Sequence, residues 1–102
     1  NKVRHMRNVR RTARARLAVY RRYLATQLAG GCIDCGNTDI RVLEFDHVRG
    51  TKVANVARMV LDASLEKIVA EVSKCEVRCR NCHAIATYER RGGSWRDEYT
   101  ER

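Results

Sequence analysis

Four cysteines and two histidines are the residues of this chain whose types and spacing could do chemistry. Cys32 and Cys35 form one C-x-x-C pair, and Cys79 and Cys82 form a second. Asp46 and His47 lie between the pairs, and His83 follows Cys82 directly. Zinc takes four soft ligands in a tetrahedron, and each C-x-x-C turn offers two thiolates at a suitable bite. Forty-three residues separate Cys35 from Cys79, more than in a simple zinc ribbon, so a structured insert must lie between the knuckles. That insert carries Asp46 and His47, so a structural zinc would clamp both ends of a working module. The fifth cysteine, Cys75, reads as a small core residue rather than a ligand.

The remaining chemistry sits on Asp46, His47 and His83. A neutral imidazole takes a proton from water near neutral pH, and a carboxylate holds a divalent cation. His47 is thus a candidate base, and Asp46 with His83 a candidate ligand pair. The third histidine, His5, lies in a basic stretch and reads as incidental. One tension follows from strand geometry: adjacent strand residues point to opposite faces. Asp46 and His47 can serve one site only if the strand ends or bulges there, which the following Val48-Arg49-Gly50 permits.

The elements that must position these groups are legible in outline. Val9, Ala13, Leu17, Tyr20, Leu24 and Leu28 recur at steps of three or four, which predicts a helix stopped by Gly30-Gly31, packed through this stripe with its arginines outward. Cys32 to Asn37 read as a tight knuckle. Ile40 to His47 are rich in strand formers and read as extended. A turn follows at Arg49-Gly50-Thr51, then a short helix over Val53 to Leu61. Ser64 is placed to N-cap another helix with Leu65, Ile68, Val69 and Val72 on its apolar face. Cys75 to Arg78 read as a short extended piece, and a last helix runs from near Cys82 to Gly92-Gly93. The polar tail from Ser94 has only Trp95 and Tyr99 with which to dock. Three segments result: a basic arm over 1–31, a knuckle-framed module over 32–93, and a tail over 94–102.

The formal charge of +9 is carried by the first segment. Residues 1–31 hold nine basic side chains and no acidic one, whereas residues 32–102 hold twelve of each. Eight of the nine are Arg, including Arg7, Arg10, Arg11, Arg14, Arg21 and Arg22. Arginine grips phosphate with two donors at once, and like charges with no counter-charge repel unless a polyanion is present. The segment therefore reads as a nucleic-acid arm that binds backbone phosphates without sequence preference.

With 102 residues, the chain reads as one domain. A chain this short buries only roughly 60% of its unfolded surface and profits from a metal staple. No apolar run approaches the ~20 residues that span a bilayer, and the basic start lacks the apolar stretch of a secretory signal. The expected setting is the cytoplasm, where paired knuckles bind metal rather than form disulfides.

From Cys32 to about Arg91 the chain resembles the HNH endonucleases. Leu43-Glu44-Phe45-Asp46-His47-Val48 is similar to that family's first strand, which ends in an Asp-His pair. Lys52-Val53-Ala54-Asn55-Val56 is similar to the segment with its middle Asn. Lys74-Cys75-Glu76-Val77-Arg78-Cys79-Arg80-Asn81-Cys82-His83 resembles the zinc-knuckle form of its closing motif. The resemblance implies an α+β domain with a ββα-metal core, stapled by a four-cysteine zinc site and preceded by the basic helix. It implies that His47 is the general base, that Asp46 and His83 bind a catalytic Mg²⁺, Mn²⁺ or Ni²⁺, and that Asn55 orients His47. Asn55 falls in a helical pattern, so Asn81 is a competing candidate. Arg49, Arg78, Arg80, Arg90 and Arg91 are all candidates to meet the scissile phosphate, with Arg49 ranked slightly above the rest.

The expected activity is metal-dependent hydrolysis of DNA phosphodiesters, with one site per monomer nicking one strand at a time. Proteins with this resemblance are often packaging-associated, mobile-element or restriction nucleases, so a larger phage packaging or mobile-element machine is an expected partner beside DNA. Two other readings stay open. One is a non-catalytic zinc-dependent nucleic-acid-binding module; the other is an adaptor whose basic helix docks an acidic protein.

Overall fold

The helical stripe of the first segment forms one long helix, α1, Lys2–Leu28. The Asn1 side chain accepts the Arg4 N–H at 3.0 Å and so satisfies one of the amides that a helix start leaves unpaired. In this computed structural model, which describes residues 1–100, everything up to Arg16 is exposed. Leu17, Tyr20 and Tyr23 are half-buried and Leu24 is buried. The stripe therefore packs only through its second half, which corrects the expectation for Val9 and Ala13: no described element reaches them, and Val9 is 48% exposed. The first half projects, and the molecule measures 68 × 27 × 20 Å. No helix among the described residues is long and apolar enough to cross a membrane.

Gly31 turns the chain from α1 into the first knuckle. Its φ is +84°, and a Cβ there would meet the Asn37 carbonyl oxygen at 3.0 Å, so only glycine fits without strain. The Cys32 N–H donates to Asn37 O and the Gly36 N–H to Cys32 O, both at 2.9 Å, closing the knuckle. The Ile33 N–H donates to Val77 O at 2.9 Å and joins the knuckle to the sheet.

The sheet has two antiparallel strands, β1 Leu43–His47 and β2 Cys75–Cys79. Leu43 pairs with Cys79, Phe45 with Val77 and His47 with Cys75; Glu44 pairs with Arg78 and Asp46 with Glu76. Side chains alternate along a strand, so one face is mostly apolar and the other is made of four charged residues. Residues 40–42 are not part of the strand. They form a 3-10 turn because Asp39 accepts the Arg41 N–H at 3.1 Å and grips its guanidinium, a local cap that outweighs their strand propensity.

Between the strands lie α2, Val56–Met59, and α3, Leu65–Val72. The helix expected over Val53 to Leu61 is thus only one turn long. Ser64 caps α3 as the sequence predicts, accepting the Lys67 N–H at 3.3 Å. Ile68 is fully buried, with Leu24, Val56, Met59 and Val60 around it and Phe45, Val72 and Cys75 against them. Val69 stays exposed. A second cluster joins Cys32, Leu43 and Cys79 to Leu28, Val42, Val77 and Cys82. Helix α4, Arg80–Arg90, begins two residues before the expected start, directly off β2. A 3-10 helix, Trp95–Tyr99, ends the described chain. Neither aromatic docks on the core: Trp95 is 66% and Tyr99 77% exposed. The architecture is α+β.

Candidate functional site

The two knuckles meet. The Sγ atoms of Cys32, Cys35, Cys79 and Cys82 all lie within 4.8 Å of one another. The Cys35 and Cys79 sulfurs are 3.7 Å apart. A zinc–sulfur bond of ~2.3 Å makes the edge of a tetrahedron about 3.8 Å, so the spacing suits a tetrahedral metal and is far too long for a disulfide. None of the five cysteines is in a disulfide. Burial alone would raise the Cys32 thiol, but the backbone groups of Cys79, Cys35 and Asp34 outweigh it and bring it down to about 6. The Cys79 sulfur beside Cys82 pushes that thiol up. The donor set and its geometry fit a structural metal of the zinc type. Cys75 stands apart, its thiol donating to Glu71 O at 3.4 Å and pushed up to about 11 by burial.

On the charged face of the sheet, α4 covers Asp46. This carboxylate is 2% exposed and accepts from Arg90 at 2.9 and 2.6 Å and from Arg78 at 2.8 Å. The Arg90 guanidinium, more than any other group, holds Asp46 below the usual carboxylate range. His83 Nε2 lies 3.4 Å from Asp46 Oδ1, and His83 Nδ1 lies 3.0 Å from Glu44 Oε1. The structure thus brings Asp46 and His83 together, with Glu44 as a third group that sequence reasoning did not single out. Glu44 and Asp46 are two apart on one strand, and that period was the available signal.

His47 is on the opposite face. Its Nε2 lies 3.0 Å from Glu71 Oε2, and Glu71 is 2% exposed. The same oxygen accepts the Val53 N–H at 2.9 Å, and the other accepts Lys74 Nζ at 2.8 Å. Lys74, chiefly, pulls the Glu71 carboxyl down to about 2 against the opposing effect of burial. A carboxylate can only accept, so Nε2 carries a proton, and in the neutral ring the lone pair is on Nδ1. Glu71 was also not foreseen, although it stands three residues after Ile68, where a helix turns back to the same buried side.

The other expected residues are placed as follows. Asn55 is exposed at the N-terminus of α2, and its side chain makes no cap hydrogen bond. Asn81 is exposed on α4. Arg49 donates to Ser73 O at 2.7 Å and to Glu76 Oε1 at 2.9 Å, so its guanidinium braces the connected end of the two strands, beyond His47 and Cys75. Arg7, Arg10, Arg11, Arg14, Arg21 and Arg22 are all exposed on α1. At 100° per residue they share one broad face with Arg4, whereas Arg16 points elsewhere, 6.0 Å from the Tyr20 ring centre.

No family model matches the chain, and neither a curated protein nor a solved structure does. The site therefore stands on its own geometry.

Proposed function

We propose that this protein is a metal-dependent DNA endonuclease of the HNH type, which its motifs resemble, with a ββα-metal core formed by β1, β2 and α4. The observation that carries the reading is the approach of His83 to Asp46. Two potential ligands for a hard cation, distant in sequence, lie 3.4 Å apart under the start of α4. Asp46 and His83 would hold a divalent ion there, which would offset the negative charge that builds on the phosphate and the leaving oxygen. Arg90, whose side chain is 45% exposed, must release Asp46 for an ion to bind.

His47 takes a proton from water through Nδ1, because Glu71 occupies Nε2. As the last residue of β1, it stands where strand pairing ends, and there neighbours facing opposite ways can reach one phosphate. Glu71 stabilises the imidazolium that forms. The four cysteines keep β2 and α4 in register with the first knuckle. The arginine face of α1 holds the DNA backbone: Arg4 to Arg22 spans about 27 Å of helix, and duplex DNA carries one charge per about 1.7 Å.

A second reading has its own support. Both oxygens of Asp46 and Nε2 of His47 already have protein partners. That is what a zinc-stabilised nucleic-acid-binding module without catalysis requires. Supercoiled plasmid incubated with protein and Mg²⁺, Mn²⁺ or Ni²⁺ separates the two. Open circles that appear before linear product, and vanish in His83→Ala, support the nuclease. Retardation of DNA without cleavage in any of the three metals supports the binding module.

A further inference from the structure

The chain has one tryptophan, and the fold holds it at the surface. Ser94 opens the Trp95–Tyr99 turn with reciprocal caps: its hydroxyl accepts the Arg96 N–H at 3.3 Å, and Asp97 accepts the Ser94 N–H at 3.2 Å. The hydroxyls of Ser94 and Tyr88 are 2.6 Å apart, which ties the turn to α4. Trp95 is therefore on a braced segment, yet it remains 66% exposed. The Arg96 guanidinium lies 4.9 Å from the centre of its ring, and the Tyr99 ring meets it edge to face at 6.1 Å.

Its location is as informative as its exposure. A cleft of about 550 Å³ runs between this turn and α4, lined by Ser94 and Arg96 on one side and by Glu44, His83, Thr87 and Arg91 on the other. The cleft thus begins at His83, one member of the proposed ion-binding pair, and ends at Ser94 and Arg96, the two neighbours of Trp95. Two arginines line it, and its one acid, Glu44, lies 3.0 Å from His83 Nδ1. An exposed ring with a guanidinium on it, at the edge of a cleft that holds two arginines, matches a ligand that alternates flat π-faces with anions. Single-stranded nucleic acid is such a ligand.

We propose that Trp95 is a stacking platform for an unpaired base, with Arg96 and Arg91 taking the neighbouring phosphates. This rests on the proposal that the chain binds DNA, but not on its cutting it. Stacking on an aromatic side chain is worth about 1–3 kcal/mol per base, which is about 5- to 150-fold in affinity.

Because Trp95 is the sole tryptophan, its emission reports on the platform directly. The experiment uses the full chain carrying His47→Ala, without added divalent ion, titrated with labelled oligo(dT), a duplex of equal length, and heparin, a polyanion without bases. Label anisotropy follows DNA binding, and competition with labelled duplex follows heparin. Oligo(dT) should quench Trp95 strongly, while heparin and duplex bind with little quenching. Adding Trp95→Ala should weaken oligo(dT) binding about 5- to 150-fold and leave duplex binding unchanged. Trp95→Phe should retain most of the affinity, which separates stacking from a structural role. Oligo(dT) that binds with Trp95 silent, heparin that quenches equally, or anionic lipid vesicles that shift the emission where oligo(dT) does not, would overturn the platform. Failure of every polyanion to bind removes the DNA-binding proposal itself, and this one with it.

Discussion

Asp46 and His47 are adjacent in the chain and back to back in the fold. Asp46 meets Arg90 and Arg78 on the α4 side of the sheet, and His47 meets Glu71 of α3 on the other. Unbroken pairing through His47 and Cys75 enforces the split, because no bulge intervenes. A ligand that met both side chains would have to approach the end of the sheet rather than either face of it.

The sheet separates the proposed base, His47, from the proposed ion-binding pair. His47→Ala should lower plasmid cleavage by roughly 10²–10⁴, the usual worth of a general base. Zinc content and DNA affinity should stay near wild type. Asp46→Ala and His83→Ala should instead blunt the response to added Mg²⁺ or Mn²⁺. Cleavage by His47→Ala at the wild-type rate would remove His47 from the mechanism.

Glu71 should matter for stability in a pH-dependent way. Its carboxyl falls from an ordinary 4.5 to about 2 in the folded protein, chiefly through Lys74. A depressed carboxyl stabilises the fold above its unfolded value, and the contribution is lost as pH falls from about 4.5 through about 2. Glu71→Gln should cost about 2–3 kcal/mol at neutral pH, since it leaves Lys74 without its counter-charge. The gap to wild type should shrink in denaturant melts run at successively lower pH through that window. A constant gap would mean that the charge of Glu71 is not what stabilises.

The cysteine cluster should carry one tightly bound zinc per chain. Metal affinity in such a site is folding free energy, so Cys79→Ser should lose both the metal and the cooperative fold. Cys75→Ser should keep the zinc, because its sulfur lies outside the cluster. Elemental analysis and near-UV circular dichroism of the purified variants check this. A well-folded wild-type protein without bound metal would contradict the assignment.

The arm can be shortened without opening the core. Leu17 is the first residue of α1 to be half-buried, so deletion of residues 1–16 removes seven cations and no packed side chain. DNA affinity should fall, and the slope of log affinity against log salt should flatten by about 0.9 for each phosphate that the shortened chain no longer neutralises. Filter binding over a range of salt concentrations reads both. An unchanged slope would assign the arm to a protein partner instead.

What the sequence by itself determined is local or periodic. Two C-x-x-C spacings announced a four-sulfur cluster, a three-and-four step announced α1, and Ser64 announced the start of α3. Charge asymmetry marked the arm. Such signals span a few residues and depend on the chain's own geometry. Tertiary structure decided the rest. It buried Glu71 against His47 across 24 residues and Asp46 against Arg90 across 44. It also ended the packed part of α1 at Leu17. Partners so far apart meet only because the hairpin pleat and the helices packed on its faces bring them together. No short-range pattern shows which acid will be buried beside which base.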